Sequence, residues 1–325
     1  MKHMGAEWLV LETTSHALAQ NRVWGVPYSI VVMTNVTHEH LDQHGTFENY
    51  RDAKRKLFKI ANRAKGKRIG VINAEDPSAK LFAKDIAHPI TYGVEKGDMR
   101  AKNVKLTSGG SRYKAVYKGK ELRIECHLPG QFNVYNSLAA AAVGGAVGLS
   151  KEQIEKGIAA LKSVEGRMDP IDEGQDFDVI VDFAHTPDSF EKLFKDLRPV
   201  VKGKLIVLFG SAGRRDEAKR AIQGKLAGQY ADEVIITEED DRDVSGEEIM
   251  DMVAGGAEEA GKVRDKDLFL ILDRPQAINF AVRRGSKGDT VLLLGKGHEK
   301  TIERADGEHP WDEIGTARQA LRTLH

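Results

Sequence analysis

The side chains best suited to chemistry are an early glutamate and the histidine-rich stretch H-E-H-L-D-Q-H-G. Glu12, His38, His40, Asp42 and His44 are all of types that bind metal ions. They could hold a transition metal. Alternatively, one or two of them could complete the shell of a Mg²⁺ ion whose other ligands are water and substrate phosphate. A solvated loop without metal is the third interpretation, because such residues are usually exposed. Spacing alone does not choose among the three.

A second group of candidates lies in polar segments that directly follow apolar runs in the C-terminal half. These segments are D-F-A-H at 182–185, G-S-A-G-R-R-D at 210–216, E-E-D-D-R at 238–242 and G-K-G-H-E at 295–299. Ligands of open parallel sheets bind beyond the carboxyl ends of the strands. The two Gly-rich segments suit phosphate or carboxylate. Neither matches the Walker A pattern G-x-x-x-x-G-K-[ST], and each alone is most simply a turn.

The elements that position these residues are predicted from apolar runs and helical periodicity. Runs at 8–11, 28–33 and 68–72 do not alternate, which indicates strands buried on both faces of a parallel sheet. Short alternating runs at 113–117 and 122–126 predict a small antiparallel layer. Thr46, Ser150 and Thr186 are expected helix N-caps.

From residue 178 onwards strands and amphipathic helices alternate regularly, which is typical of a βαβ series. The segment from 163 to 174 is rich in Gly, Pro and charges. We therefore predict an α/β protein of two domains, residues 1–166 and 167–325, with the boundary near Arg167. The first combines a mostly parallel sheet, helices and a small antiparallel sheet. The second is Rossmann-like.

Composition excludes several classes of protein. The 325 residues carry 49 basic and 49 acidic side chains, so nothing indicates binding to nucleic acid or to an anionic membrane surface. The one cysteine, Cys126, cannot form an intrachain disulfide. There is no apolar run near the ~20 residues that span a bilayer, and no signal peptide. We expect a cytoplasmic protein, and the sequence does not indicate its oligomeric state.

Several segments resemble the motifs of Mur ligases, in particular those of the MurE type. E-T-T-S-H-A-L at 12–18 resembles E-[VT]-[ST]-S-H-x-L of that family. The stretch from Thr34 to Gly45 resembles T-N-[LV]-x-x-D-H-L-D-x-H-G, with Glu39 where the family usually has Asp. Y-R-D-A-K at 50–54 matches Y-x-x-A-K.

Further segments match downstream in the same order. They are G-Q-F-N-V-Y-N at 130–136, G-R-M at 166–168, D-F-A-H-T-P-D at 182–188 and G-K-G-H-E at 295–299. The resemblance covers essentially the whole chain, and folylpolyglutamate synthetase is a weaker match. It implies a Mur ligase central domain, truncated at its N-terminus, followed by the Rossmann-like C-terminal domain.

The resemblance implies an ATP-dependent ligase of peptidoglycan precursor synthesis, which serves cell-wall biogenesis, cell shape and division. Such enzymes phosphorylate a substrate carboxylate with ATP, and an amine then attacks the acyl phosphate. Lys54 matches the lysine that is carbamylated in the family. Glu12, His40 and the modified Lys54 would hold Mg²⁺.

The remaining implied contacts fall into three groups. Thr14, Gln20 and Arg22 match positions that contact the UDP-muramoyl dipeptide. Asn136, Arg167, Asp182 and His185 match ATP-contacting positions. Arg215, Glu239, Asp240, Asp241, Arg242, Gly295 and Glu299 match the positions that bind meso-diaminopimelate.

The third amino acid is the open part of this prediction. Arg242 favours meso-diaminopimelate, because an arginine can pair with the distal carboxylate that L-lysine lacks. The family's usual segment is D-N-P-R, and E-D-D-R at 239–242 adds negative charge. L-Lysine or another diamino acid therefore remains an alternative.

The family's phosphate-binding loop and uridine-nucleotide domain precede the Glu12 motif, so the resemblance implies a chain without either. We expect this chain alone to have little ligase activity. Two alternatives of other classes remain. One is a non-catalytic protein that binds the muramoyl peptide or the amino acid, and the other is a metal-dependent hydrolase that uses the histidine-rich loop.

Overall fold

The computed structural model describes residues 5–37, 44–107 and 109–324. The chain divides into two compact units. The first unit comprises residues 1–105, 111–126 and 132–160, and the second comprises 106–110, 127–131 and 161–325. The domain boundary expected near Arg167 stays a prediction.

The first unit is a sheet of six strands with helices packed against it, as expected for an α/β protein. The strands lie in chain order: β1 Ile30–Met33, β2 Ile69–Asn73, β3 His88–Gly93, β4 Met99–Thr107, β5 Gly110–Tyr117 and β6 Lys120–Cys126. β1 to β4 pair in parallel, and β5 pairs with β6 antiparallel. The expected parallel sheet with a small antiparallel layer is confirmed.

Five helices of the first unit matter for its core and its candidate site. They are α1 Ser15–Ala19, α2 Phe47–Arg63, α3 Ala79–Lys84, α4 Gln131–Val147 and α5 Lys151–Ala160. Phe58 of α2 and Phe82 of α3 meet edge to face at 5.0 Å, inside a cluster that includes Val31 and Ile72. This apolar contact fixes α2 on the face of the parallel strands.

Residues 8–11 differ from their prediction as a buried strand. In the structure they have no regular secondary structure, and Val10 is 98% exposed. An apolar run fits a strand only where a neighbouring strand satisfies its backbone N–H and C=O groups. Within the described residues, β1 pairs with β2 alone, so the run 8–11 has no such neighbour.

The second unit is a six-stranded sheet that is parallel except at one edge. Its order is β11-β10-β9-β12-β8-β7, and only β7 runs antiparallel to its neighbour. The strands are β7 Asp169–Pro170, β8 Asp178–Asp182, β9 Leu205–Phe209, β10 Glu233–Ile236, β11 Leu268–Leu270 and β12 Thr290–Leu294. A hairpin of β13 Thr301–Arg304 and β14 Gly307–Pro310 follows. The Rossmann-like expectation is confirmed.

Helices cover this second sheet, and two of them pack unusually closely. They are α6 Pro187–Leu197, α7 Ala218–Tyr230, α8 Gly246–Glu259, α9 Arg274–Arg284 and α10 Glu313–Arg322. A Cβ added to Gly224 of α7 would lie 1.9 Å from the carbonyl oxygen of Val253. One added to Gly256 of α8 would lie 1.9 Å from that of Ala221. The two backbones are thus in direct contact.

The expected helix N-caps are all confirmed. The hydroxyl of Thr46 accepts the N–H of Asn49 at 3.2 Å. That of Thr186 accepts the N–H of Ser189 at 3.2 Å. Ser150 and Gln153 form the reciprocal pair, at 2.8 and 3.2 Å. Each cap satisfies a backbone donor that the helix itself leaves unpaired.

Candidate active site

In the first unit, the helix after Glu12 packs beside the helix that carries Lys54. Nε2 of His44 lies 3.1 Å from the hydroxyl oxygen of Ser15 on α1. The His44 ring lies 5.5 Å from the ring of His16 and 5.5 Å from the ring of Tyr50. Nζ of Lys54 lies 5.0 Å from the Tyr50 ring. The start of α1 and the Lys54 turn of α2 are therefore neighbours.

Four other predicted residues of this region, Glu12, Thr14, Gln20 and Arg22, lie on or around α1. Thr14 caps α1 through its hydroxyl, which accepts the N–H of Ala17 at 3.1 Å. Glu12, Gln20 and Arg22 are exposed. His38, His40 and Asp42 lie outside the described residues. Within residues 5–37, 44–107 and 109–324, no group of three His, Cys, Asp or Glu side chains is arranged to hold a metal ion.

Asn136 also belongs to the first unit and lies on α4. Its amide nitrogen donates to the side-chain oxygen of Asn133 at 3.0 Å. Nearby, the hydroxyl of Tyr135 donates to Glu75 at 2.5 Å, and the N–H of Glu95 donates to the same carboxylate at 2.7 Å. These bonds fix the turn in which Asn136 sits.

In the second unit, Asp182 anchors the segment that follows β8. Its carboxylate accepts the N–H of Met168 and the N–H of Ala184, both at 2.7 Å. Burial raises the pKa of Asp182 above its ordinary value, while these two N–H groups oppose the rise. Asp182 thereby ties the loop after residue 166 to the end of β8.

Arg167 and His185 meet on the ring of Phe183. The guanidinium carbon of Arg167 lies 4.6 Å from the ring centre, and His185 and His298 lie 4.7 and 5.1 Å from it. The structure thus brings three of the four predicted nucleotide-contacting residues together in one unit, namely Arg167, Asp182 and His185. A planar cation on an aromatic face with two imidazoles offers stacking surfaces as well as charge.

The predicted acceptor residues gather where the loops after β9, β10 and β12 meet. The N–H of Gly213 donates to the carbonyl of Asp240 at 2.8 Å, and Nη1 of Arg242 donates to the carbonyl of Gly213 at 2.6 Å. Arg214 forms a two-point ion pair with Asp243. A Cβ on Gly213 would lie 2.1 Å from the carbonyl oxygen of Asp241, so glycine is required there.

Gly295 and Glu299 belong to the loop after β12 and reach the same place. Gly295 has a φ of +101°, and a Cβ there would lie 2.6 Å from Oε2 of Glu239. Nζ of Lys296 lies 2.8 Å from Oδ1 of Asp240 and 2.7 Å from Oε2 of Glu299. Arg215 is exposed on the loop after β9.

Burial raises the pKa of Asp241 to about 6, and neighbouring Glu238 and Glu239 contribute to the rise. Glu238 itself forms a two-point ion pair with Arg304, whose Nη2 and Nε donate to its two carboxylate oxygens at 2.7 and 2.9 Å. Several carboxyl groups close together in one partly buried loop suit an amine-bearing ligand.

A buried ion pair supports these loops from below. Arg274 is 0% exposed and contacts Glu313 at 2.6 and 2.9 Å. The same guanidinium donates to the carbonyls of Glu238 and Leu294, at 2.9 and 2.8 Å. It therefore satisfies the carbonyl at the end of β12 and one just beyond β10.

Sequence reasoning did not single out Lys296, Glu303, Arg304 or the Arg274–Glu313 pair. Lys296 stands inside the G-K-G-H-E motif, which was the only signal for it. The other four form contacts between segments far apart in the chain, and no local pattern indicates them.

Two family models match the chain: the Mur ligase middle domain over residues 1–144, and the Mur ligase glutamate ligase domain over residues 166–297. A UDP-N-acetylmuramyl-tripeptide synthetase of Roseiflexus sp. (strain RS-1) is 43% identical, over 100% of this chain and 66% of that protein. A UDP-N-acetylmuramoyl-L-alanyl-D-glutamate–2,6-diaminopimelate ligase of Geobacillus kaustophilus (strain HTA426) is 40% identical, over 98% and 65%.

A solved structure gives the same relationship. It is of a UDP-N-acetylmuramoyl-L-alanyl-D-glutamate–2,6-diaminopimelate ligase, with 30% identity and a TM-score of 0.65, over 99% of this chain and 66% of that one. Fold, motif order and relatives together define the class: the chain belongs to the Mur ligase family. The resemblance to the MurE type is confirmed by these relatives. The chain spans just under two thirds of their length.

None of the helices in the described part of the chain combines the length and apolar character that a membrane crossing requires.

Proposed function

We propose that the protein acts in peptidoglycan precursor synthesis as an ATP-dependent ligase that joins a diamino acid to UDP-MurNAc-L-Ala-D-Glu. The observation that carries the proposal is the charged site of the second unit, where the loops after β9, β10 and β12 converge. We propose residues 1–166 as the ATPase-type domain, residues 167–325 as the amino-acid-binding domain, and the cytoplasm as its location.

The reaction has two steps. A carboxylate oxygen of the dipeptide attacks the γ-phosphorus of ATP, and ADP leaves with the bond's electrons. The amine then attacks the carbonyl carbon of the acyl phosphate, phosphate departs with its electron pair, and the nitrogen loses a proton. Fixed positive charge near the phosphoryl oxygens and correct positioning account for most of the catalysis in such transfers.

Glu12, His40 and carbamylated Lys54 are the proposed ligands of Mg²⁺. The donor types fit, because a lysine carbamate and a glutamate both offer the oxygen atoms that Mg²⁺ prefers. The packing of α1 on α2 supports the set, since it brings the segment after Glu12 beside the turn that carries Lys54. When bound, the ion supplies positive charge beside phosphoryl oxygens.

The protein's own groups would position the two substrates. We propose that Thr14, Gln20 and Arg22 bind the UDP-muramoyl dipeptide, with Arg22 pairing with its anionic groups. Asn136, Arg167, Asp182 and His185 are the proposed ATP contacts. The ring of Phe183 contacts both Arg167 and His185 and so helps to position two of those side chains.

The acceptor amino acid is assigned to Arg215, Glu239, Asp240, Asp241, Arg242, Gly295 and Glu299. Its ammonium groups would face the carboxylates of this set.

The first experiment measures substrate binding and the state of Lys54. Calorimetry on the 325-residue chain should detect the binding of UDP-MurNAc-L-Ala-D-Glu and the binding of a diamino acid. Mass spectrometry under ¹³C-bicarbonate should find the label on Lys54. Lys59, an exposed lysine of the same helix, is the internal control and should stay unlabelled. Binding of both ligands with unmodified Lys54 would favour the non-catalytic alternative. Binding of neither would refute the proposal.

A second experiment concerns ATP. The 325 residues contain no G-x-x-x-x-G-K-[ST] segment, whose backbone N–H groups cradle phosphates in many nucleotide sites. We therefore propose that this chain by itself turns over ATP slowly. The comparison is phosphate release by this chain and by a longer relative that carries the segment, each with both other substrates. Equal rates would show that the segment is dispensable.

A further inference from the structure

The guanidinium of Arg242 already has a carboxylate partner. Its Nε donates to Oε2 of Glu303 at 2.7 Å, and its Nη1 donates to the carbonyl of Gly213 at 2.6 Å. The backbone N–H of Arg242 also donates to the carbonyl of Glu303 at 3.0 Å. The N–H of Glu303 in turn donates to Oδ1 of Asp240 at 3.0 Å. Side chain and main chain thus join Arg242 to the same residue of β13.

We infer that Glu303 determines the acceptor by occupying Arg242 in place of a distal substrate carboxylate. The site then takes a diamino acid whose side chain ends in an ammonium group alone, of the lysine and ornithine class. One that ends in both an ammonium and a carboxylate, such as meso-diaminopimelate, is disfavoured. The inference rests on the acceptor role proposed for this site, and it reverses the preference expected from Arg242 alone.

The charges around Arg242 point the same way. The carboxylates are Glu238, Glu239, Asp240, Asp241, Glu299 and Glu303, and the cations paired with them are Arg242, Lys296 and Arg304. Six carboxylates face three cations, and two remain in excess even when the exposed Arg215 is counted. A second carboxylate on the ligand would enter a region of negative potential, whereas a distal ammonium would be attracted to it.

The main chain around Glu303 is also held in this position. The next residue, Arg304, pairs with both carboxylate oxygens of Glu238 at 2.7 and 2.9 Å. Two consecutive residues of β13 are therefore tied to the loop after β10. These bonds fix the main chain at Glu303 and so keep its carboxylate within reach of the Arg242 guanidinium.

The test compares L-lysine with meso-diaminopimelate, which differ by one carboxylate. Calorimetry on the full 325-residue chain at one pH gives the two dissociation constants for wild type, Glu303→Gln and Glu308→Gln. Glu308 is the matched control, because it lies opposite Glu303 in the hairpin and is exposed. We expect wild type to bind L-lysine more tightly. Glu303→Gln should shift the ratio toward meso-diaminopimelate by about fivefold or more, and Glu308→Gln should not.

Tighter binding of meso-diaminopimelate by wild type would overturn the inference and leave the acceptor role intact. The inference would also be overturned if Glu303→Gln had the same urea midpoint as wild type, and was therefore folded, but left the ratio of the two dissociation constants unchanged. If neither amino acid bound to any of the three proteins, the acceptor role itself would fall, and the inference with it. The wild-type ratio decides the substrate class even if Glu303→Gln does not fold.

Discussion

Nζ of Lys296 lies 2.8 Å from Oδ1 of Asp240, although the two residues are 56 positions apart and the lysine side chain is 1% exposed. A buried ammonium group is tolerated only where carboxylates neutralise it and accept its protons. This pair therefore holds the loop after β12 against the loop after β10, and both loops depend on it.

Replacing Lys296 with Met should destabilise the protein. The change keeps most of the apolar stem but removes the ammonium group that pairs with Asp240 and Glu299. Since both carboxylates are partly exposed, we expect a loss of about 2 kcal/mol in the free energy of unfolding, less than for a fully buried pair. Urea denaturation measures it. Lys287→Met, at an exposed lysine of the same unit, should stay within about 0.5 kcal/mol. If Lys296→Met and Lys287→Met were equally stable, the ion pairs of Lys296 would not stabilise the fold.

Arg274→Met should cost more, because the partner Glu313 is fully buried as well. The variant leaves the Glu313 carboxylate without its cation and removes the donors to the carbonyls of Glu238 and Leu294. We expect a loss of about 3–5 kcal/mol in the free energy of unfolding, measured by urea denaturation. Arg283→Met, at an exposed position of the same helix, is the matched control.

A double variant separates charge from packing at the Arg274 site. Adding Glu313→Leu to Arg274→Met removes the stranded carboxylate and should restore part of the loss. The recovery should be incomplete, since Nε1 of Trp311 also donates to Glu313 at 2.8 Å. No recovery at all would mean that lost packing, not an unpaired charge, is the cause.

Asp241 should make stability depend on pH. Burial raises its pKa from 3.8 to about 6, so the native state favours the protonated form and its ionisation is destabilising. Asp241→Asn removes that effect. As pH rises from 4 to 7, the free energy of unfolding of the variant should increase by about 1–2 kcal/mol relative to that of wild type. This figure is discounted because Asp241 is partly exposed. Urea midpoints across this range test it, with Asp176→Asn as a surface-carboxylate baseline. If the difference in stability between the variant and wild type did not change with pH, the pKa of Asp241 would not be raised.

Two adjacent glycines of α8 should respond in opposite ways to alanine. A Cβ on Gly256 would lie 1.9 Å from the carbonyl oxygen of Ala221, whereas one on Gly255 has nothing within 4 Å. Gly256→Ala should cost about 2 kcal/mol or more, since the helices must separate. Gly255→Ala should raise the free energy of unfolding by about 0.5–1 kcal/mol, because alanine has a higher helix propensity than glycine. Thermal unfolding of both variants checks the signs, and two changes of the same sign would refute the packing argument.

Local patterns predicted most of the fold. The caps at Thr46 and Thr186, and the apolar runs of β9 and β12, carry their own signals because each depends on neighbours in sequence. The run 8–11 was wrong as a buried strand, because a strand also needs a hydrogen-bonding neighbour that no local pattern supplies.

The candidate site was predictable only in part. The polar segment after β10 and its resemblance to D-N-P-R predicted Arg242 and Glu239 as acceptor residues, and that role stays a prediction. The sequence could not indicate that Glu303 pairs with Arg242, since that contact joins β13 to a loop 61 positions earlier in the chain. The roles of Glu12, His40 and Lys54 remain predictions, as His40 lies outside the described residues.

The close approach of α7 and α8 has a consequence for how the acceptor loops can move. Carbonyl oxygens of each helix occupy the space that a side chain at Gly224 or Gly256 would fill. Neither helix can therefore slide along the other unless the two first separate. The loop after β9 leads into α7 and the loop after β10 leads into α8, so both loops are anchored to the same pair of closely packed helices. Adjustment to a ligand is then left to the side chains of these loops.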